Sequence, residues 1–203
     1  GALSITGVVS GGPIVKQGAG TLSLTNNNTY AGGTDIQQGT LSIKRASSLG
    51  DGDVIIREGS TLETQTSTTI TNKINLTPET PVDDLLTTAA TISTVGKENI
   101  TQITSSIGGS VSGLIKSGDG TLSLTADNAY AGNTVIQQGT LAISREGSLG
   151  VGTTVTINNG TVLQTNKDVI ISKGVILDSQ STIDTDGNNS KVTGNISGAG
   201  QLV

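Results

Sequence analysis

The sequence predicts an all-β chain wound as a parallel β-solenoid of roughly triangular section, and three observations carry that reading. Apolar residues alternate with Thr and Ser at period two, as in Thr21-Leu22-Ser23-Leu24-Thr25 and Thr40-Leu41-Ser42-Ile43, which is the pattern of half-buried strands. Three apolar series then recur about every 20 residues, a period that belongs to stacked repeats. A glycine returns at one fixed place in each period.

The strand series come first. Leu22, Leu41 and Leu62 form one, Ile36, Ile56 and Leu76 a second, Tyr30, Leu49 and Ile70 a third. The second half of the chain repeats them as Leu122, Leu141, Leu163; Ile136, Ile157, Leu177; and Tyr130, Leu149, Ile170. Three inward positions per coil, superposed coil on coil, make columns along an axis. The chain has 203 residues, 33% of them hydrophobic, yet only two aromatics. The columns must therefore be aliphatic, each buried Leu, Ile or Val contributing roughly 1.5–3 kcal/mol. No stretch shows a capped amphipathic helix, and Thr80–Thr91 is the single ambiguous one.

The turns follow. Gln37-Gln38-Gly39-Thr40, Arg57-Glu58-Gly59-Ser60, Gln137-Gln138-Gly139-Thr140 and Asn158-Asn159-Gly160-Thr161 place Gly at the same corner, which predicts a positive φ there. Asn26-Asn27-Asn28 is expected to form a stacked amide corner. Tyr30 and Tyr130 occupy equivalent places in two repeats, so corner packing is expected of them and not ligand binding.

A longer repeat contains the short one. Lys16–Arg45 and Lys116–Arg145 match without a gap at an offset of 100 residues, and Val192–Val203 echoes Ile5–Val15. The expected organisation is one β-solenoid over 1–203, a fragment of a longer array. Unit 1 spans about 5–104, unit 2 about 105–191, and a third unit starts at 192–203. The motif Gly-x-Gly-Thr-Leu-Ser-Leu-Thr…Asn-x-x-Tyr-Ala-Gly-x-Thr-x-Ile-Gln-Gln-Gly-Thr-Leu, at Gly18–Ile43 and Gly118–Ile143, resembles the passenger-associated transport repeat of autotransporters, the type V secretion proteins of Gram-negative bacteria. The family often has Gly after the Leu-Thr-Leu-Thr strand, where Asn26 and Ala126 stand here. The resemblance implies a right-handed parallel β-helix, secreted or displayed at the outer-membrane surface. It also implies export through a C-terminal β-barrel translocator and carries over no catalytic residue.

Composition narrows the chemistry. The chain has no Cys and no His, so disulfides, thiol nucleophiles, His-based triads and Cys or His metal sites are excluded. Net charge is −5, which disfavours nucleic acid as a partner. No apolar run is long enough to span a membrane. Asp35, Asp53, Arg45 and Arg57 could supply carboxylate chemistry on a polysaccharide, but unit 2 does not repeat the set. Asp184-Thr185-Asp186-Gly187-Asn188 opens like a calcium loop with its Gly two places early, and Gly50-Asp51-Gly52-Asp53 lacks the tandem glycines of a calcium nonapeptide. Both read as Asx-turns. The expectation is no enzyme, no cofactor and no metal.

One asymmetry stands out as a candidate site. Between Leu76 and Ala90, unit 1 carries Thr77–Ala89 where unit 2 has only Asp178-Ser179-Gln180. Solenoid insertions emerge as loops, and loops carry function. Pro78, Glu79, Pro81, Asp83, Asp84, Leu85 and Leu86 are the candidate partner-binding residues. The competing reading is a passive loop whose leucines fold back. A smaller extension lies at Lys97–Ser106, with a passive role expected. The leading functional expectation is a monomeric, non-catalytic passenger that binds a host-cell surface protein or receptor as adhesin or soluble ligand, a virulence factor. The alternative is a structural stalk or export-assisting scaffold, and the least favoured is a polysaccharide-acting enzyme.

Overall fold

A computed structural model of the protein describes residues 1–78, 89–110 and 113–202. Strands run parallel to their neighbours and wind into a β-solenoid of about nine turns, roughly 21 residues per turn. Among the described residues the strands form a ten-stranded, a seven-stranded and a five-stranded sheet, with a further two-stranded ladder formed by Ile170–Ile171 and Lys191–Val192. The sheets are the flat faces of the rod. Two 3-10 turns, Ala46–Leu49 and Glu146–Leu149, stand where a face has no strand.

Two of the three predicted columns are present within each repeat. Leu22 lies beside Leu41 and Leu41 beside Leu62 on the ten-stranded face. Ile36, Ile56 and Leu76 are neighbours on the five-stranded face. Ile136, Ile157 and Leu177 are neighbours likewise. Leu41, Ile56 and Leu141 are completely buried. Backbone amides and carbonyls pair with the coils above and below, so identical residues superpose whenever successive coils have matched lengths.

The two repeats do not continue each other's columns. On the ten-stranded face the neighbours after Leu62 are Ile92 and then Lys116. Leu122, the counterpart of Leu22, sits instead on the seven-stranded face, between Thr101 and Leu141. Asn133–Ile136 has moved in the same sense, onto the ten-stranded face between Gly113–Ser117 and Thr154–Ile157. Its counterpart, Thr34–Ile36, is on the five-stranded face. The second repeat thus starts four turns and one face after the first. The stretch expected to be a passive extension, Lys97–Ser106, is part of the regular winding between the two repeats. Its residues Ile100–Ile103 form a regular strand between Thr68–Ile70 and Thr121–Leu124, with Ile103 buried.

Two further expectations change. Ile170 points outward, 60% exposed, and its neighbour Ile171 takes the inward place. The chain enters this coil one residue out of the predicted phase, and one residue flips a strand side chain to the other face. Within Thr80–Thr91, residues 90 and 91 open the strand Ala90–Thr94 and residue 89 is irregular. The remainder of that stretch lies outside the described residues.

Aspartate at Ile171 is expected to lower stability by several kcal/mol, because a carboxylate would enter a dry column. Aspartate at Ile170 should change it by less than about 0.5 kcal/mol. Urea melts followed by circular dichroism measure both.

Candidate partner-binding surface and the corners that hold it

The insertion is anchored at both ends by one corner of the coil below. Glu58 N donates to Thr77 O at 3.0 Å and Gly59 N donates to Ala89 O at 3.2 Å. Strand Ile74–Thr77 leads in and strand Ala90–Thr94 leads out. Pro78 is half-buried at the root. Glu79, Pro81, Asp83, Asp84, Leu85 and Leu86 lie outside the described residues. Unit 2 closes the matching corner tightly. There Ser179 takes φ 51°, and Gly160 N donates to Gln180 O at 2.6 Å.

Below the insertion, on the five-stranded face, polar side chains link successive coils. Gln17 Nε2 donates to Gln37 Oε1 at 3.0 Å, and Gln37 Nε2 to Asp35 Oδ2 at 2.9 Å. Arg57 holds the same carboxylate in a two-pronged pair, Nε to Oδ1 at 3.0 Å and Nη2 to Oδ2 at 2.8 Å. Partial burial works to raise the Asp35 pKa, but the hydrogen bonds from Arg57 and Gln37 and the guanidinium charge outweigh it and hold the carboxyl below its ordinary value. A groove of about 180 Å³ brings Asp35 and Asp53 to one corner. Asp35 is there a structural acceptor for Arg57 and Gln37, which leaves it poorly placed as an acid or base. Arg45 reaches away to Asn27. In Asp184–Asn188 the Asp186 amide donates to Asp184 Oδ1 at 2.9 Å and Asn188 N to Thr185 O at 2.8 Å, the geometry of an Asx-turn.

The corner glycines take the predicted conformation. Gly39, Gly59, Gly139 and Gly160 have φ between 68° and 73°. At Gly39 a Cβ would also lie 2.6 Å from the carbonyl oxygens of Gly18 and Gly20 in the coil below. The asparagine corner is built differently from a stack of amides. Only Asn28 is buried, and its single amide links three coils, Oδ1 accepting from Val9 N at 2.9 Å and Nδ2 donating to Ser48 O at 2.8 Å. Asn128 repeats this with Ile107 N and Ser148 O. Tyr30 and Tyr130 are completely buried, each hydroxyl 2.7 Å from Thr34 or Thr134 Oγ1. These contacts make them corner packing.

Sequence reasoning missed the lysines. Lys16 is 5% exposed and Lys116 fully buried, although both alternate like core residues. Lys116 Nζ donates to the carbonyls of Ser117 at 2.8 Å, Gly118 at 2.6 Å and Gln138 at 2.9 Å, filling all three donor positions across two coils. Lys16 does the same with Gln17, Gly18 and Gln38. The signal was available, since a Lys in the inward register preceded the same Gly corner in both repeats. Burial pulls the Lys116 ammonium down to about 8, with Asp119 opposing. Burial raises the Tyr130 hydroxyl well above its ordinary value.

The signs of these shifts give a pH window. Between pH 8 and 10 the unfolded chain keeps the Lys116 proton that the folded chain loses, so stability rises with pH. Above pH 10 the unfolded tyrosines ionise while buried Tyr130 does not, so stability falls again. Urea midpoints across this range should show the rise, and Lys116→Met should flatten it. The same variant should cost about 2 kcal/mol at neutral pH by leaving corner carbonyls unpaired.

A family model for the passenger-associated-transport-repeat matches residues 14–43 and 114–143, the segments that hold both lysine, asparagine and tyrosine corners. The match supports the resemblance to autotransporter passengers. It is 40% identical over 111 residues to a protein named Adhesin BmaC autotransporter from Brucella suis biovar 1 (strain 1330). The match covers 54% of this chain and 3% of that adhesin. No solved structure matches the chain. Its similarity to autotransporter passengers supports display at the surface or secretion. No helix among the described residues is long and apolar enough to cross a membrane.

Proposed function

We propose that this passenger segment acts in adhesion, as a non-catalytic rod that binds a host-cell surface protein or receptor and thereby serves virulence, with residues 77–89 as its contact element. The similarity to a protein named as an adhesin carries the reading. The insertion supports the choice of element. It stands where unit 2 has a tight corner, and both its ends are fixed on Glu58 and Gly59, so the inserted residues leave and rejoin the rod at one corner. The export partner in this reading is a C-terminal β-barrel translocator, and the passenger is a monomer.

A second reading, the stalk or export-assisting scaffold, has its own support. The polar residues that recur in both repeats, Lys16 and Lys116, Asn28 and Asn128, are turned into corners and are buried, so what repeats is architecture. Replacing residues 77–89 with the Asp-Ser-Gln corner of unit 2 separates the two. The adhesion reading expects an unchanged melt and about a tenfold or greater loss of binding to cultured host cells. Equal binding by both proteins removes the insertion from the account, and no binding by either favours the scaffold.

A further inference from the structure

The one-face offset between the repeats creates a surface that neither repeat has alone. Thr21, Thr40, Thr61 and Thr91 follow each other in register on the outside of the ten-stranded face. The row continues without a break into unit 2 as Ile115 and Val135, drawn from strands whose unit 1 counterparts lie on another face. Beside it runs a second row, Ser23, Ser42, Glu63, Ser93 and Ser117, in which Ser42 and Ser93 are buried and Ser42 Oγ accepts from Gln65 Nε2 at 3.2 Å. The first row carries no charge over six coils, on a chain of net charge −5. Glu63 is the acid in the second row, and its carboxylate accepts from Gln65 Nε2 at 2.5 Å.

Many hydroxyls of the rod close corners. Those turned inward or into corners are engaged, as in Ser48 to Asn26 O, Ser60 to Ile36 O and Ser148 to Leu124 O. Thr21, Thr40, Thr61 and Thr91 stand apart from these corner bonds and are half-buried. Strand spacing sets such hydroxyls about 4.8 Å apart along the rod, with the serine row about 6.7 Å to the side. The threonine row thus presents hydroxyls and methyls on a rigid sheet, and neither row holds a cation to pair an anion.

We infer that this composite face binds a neutral polysaccharide laid along the rod, its hydroxyls meeting the threonine row and its C–H surfaces the β-branched methyls. Charge complementarity selects the occupant, since a sulfated, phosphorylated or uronic polymer would find no cation in either row. The low conformational freedom of Thr and Ser in a fixed sheet keeps the ordering cost of binding small. The inference rests on the reading of the chain as a surface-binding passenger and specifies a ligand class for it, at a place separate from the insertion.

Co-sedimentation of the purified chain with microcrystalline cellulose and chitin, and with cross-linked alginate as the acidic control, tests it. The neutral polymers should retain the protein at low and high salt alike, and alginate should not. Thr40→Lys with Thr61→Lys should lower retention about tenfold or more, with an unchanged melt because lysine stems can lie along the sheet. Thr40→Val with Thr61→Val keeps the strands and removes two hydroxyls, so it should also weaken retention even if the lysine variant misfolds. Absence of retention on both neutral polymers, salt-labile retention, or full retention of the valine variant would overturn the proposal. The corner-swap variant should sediment like the parent. If the parent binds cells but neither neutral polymer, this face is excluded and the adhesion reading stands; if it sediments but binds no cells, the reverse holds.

Discussion

Everything in this rod depends on the hydrogen-bonded stacking of one coil on the next. A parallel strand in the interior of a face has its amides and carbonyls taken by the strands above and below. That leaves side-chain direction as the one variable, in or out. Inward positions on every face meet the same requirement: an aliphatic side chain, or a polar one whose hydrogen bonds close within the corner. Because the three faces impose one rule, a strand that fits one face fits another. The second repeat can therefore sit one face round from the first, with Leu122 on the face of Thr101 and Ile136 on the face of Ile92, at no cost in burial. Leu122 and Ile136 are both completely buried.

The corners do the rest of the holding. A core with two aromatics has little volume to give, and the interior is close-packed only if the corners are too. Buried Lys116 shows how a charge is tolerated there: three carbonyls of two coils replace its water shell. Breaking such a cluster is costlier than its net contribution suggests, because the carbonyls remain buried. Asn28 and Asn128 serve the same end with one amide each, bonding both the coil below and the coil above. Each device spans coils, so stability is a property of neighbouring turns and not of a turn alone.

Much of this was legible in the residues. The period-two alternation located the strands around Leu22, Leu41 and Leu62, and the recurring Gly39 and Gly139 located the corners, because only local sterics decide them. The 100-residue match found the repeat but not its phase. Phase depends on how many faces lie between Thr77 and Gly113, and Ile100–Ile103 looked like surplus because it has no separate turn signal. Ile170 and Ile171 were indistinguishable by type, and only the length of the preceding turn says which one faces in. Lys16 and Lys116 were passed over because a charged residue at an inward position reads as exposed until its acceptors are seen. Of the proposed contact element, the sequence pointed to residues 77–89 by comparison of the two units, and the structure shows its anchorage at Glu58 and Gly59.

The offset between the repeats is the claim most open to a direct test. Ser93 lies opposite Ser117 in the shifted arrangement. In an unshifted one, with like strands on like faces, Ser123 would stand in that place. The chain contains no cysteine, so engineered pairs can be read without interference. Under mild oxidation the account predicts that Ser93→Cys with Ser117→Cys forms a disulfide rapidly and almost completely, adjacent strands placing the two Cα atoms within bridging range, whereas Ser93→Cys with Ser123→Cys stays reduced. A disulfide in the second pair and none in the first would contradict it.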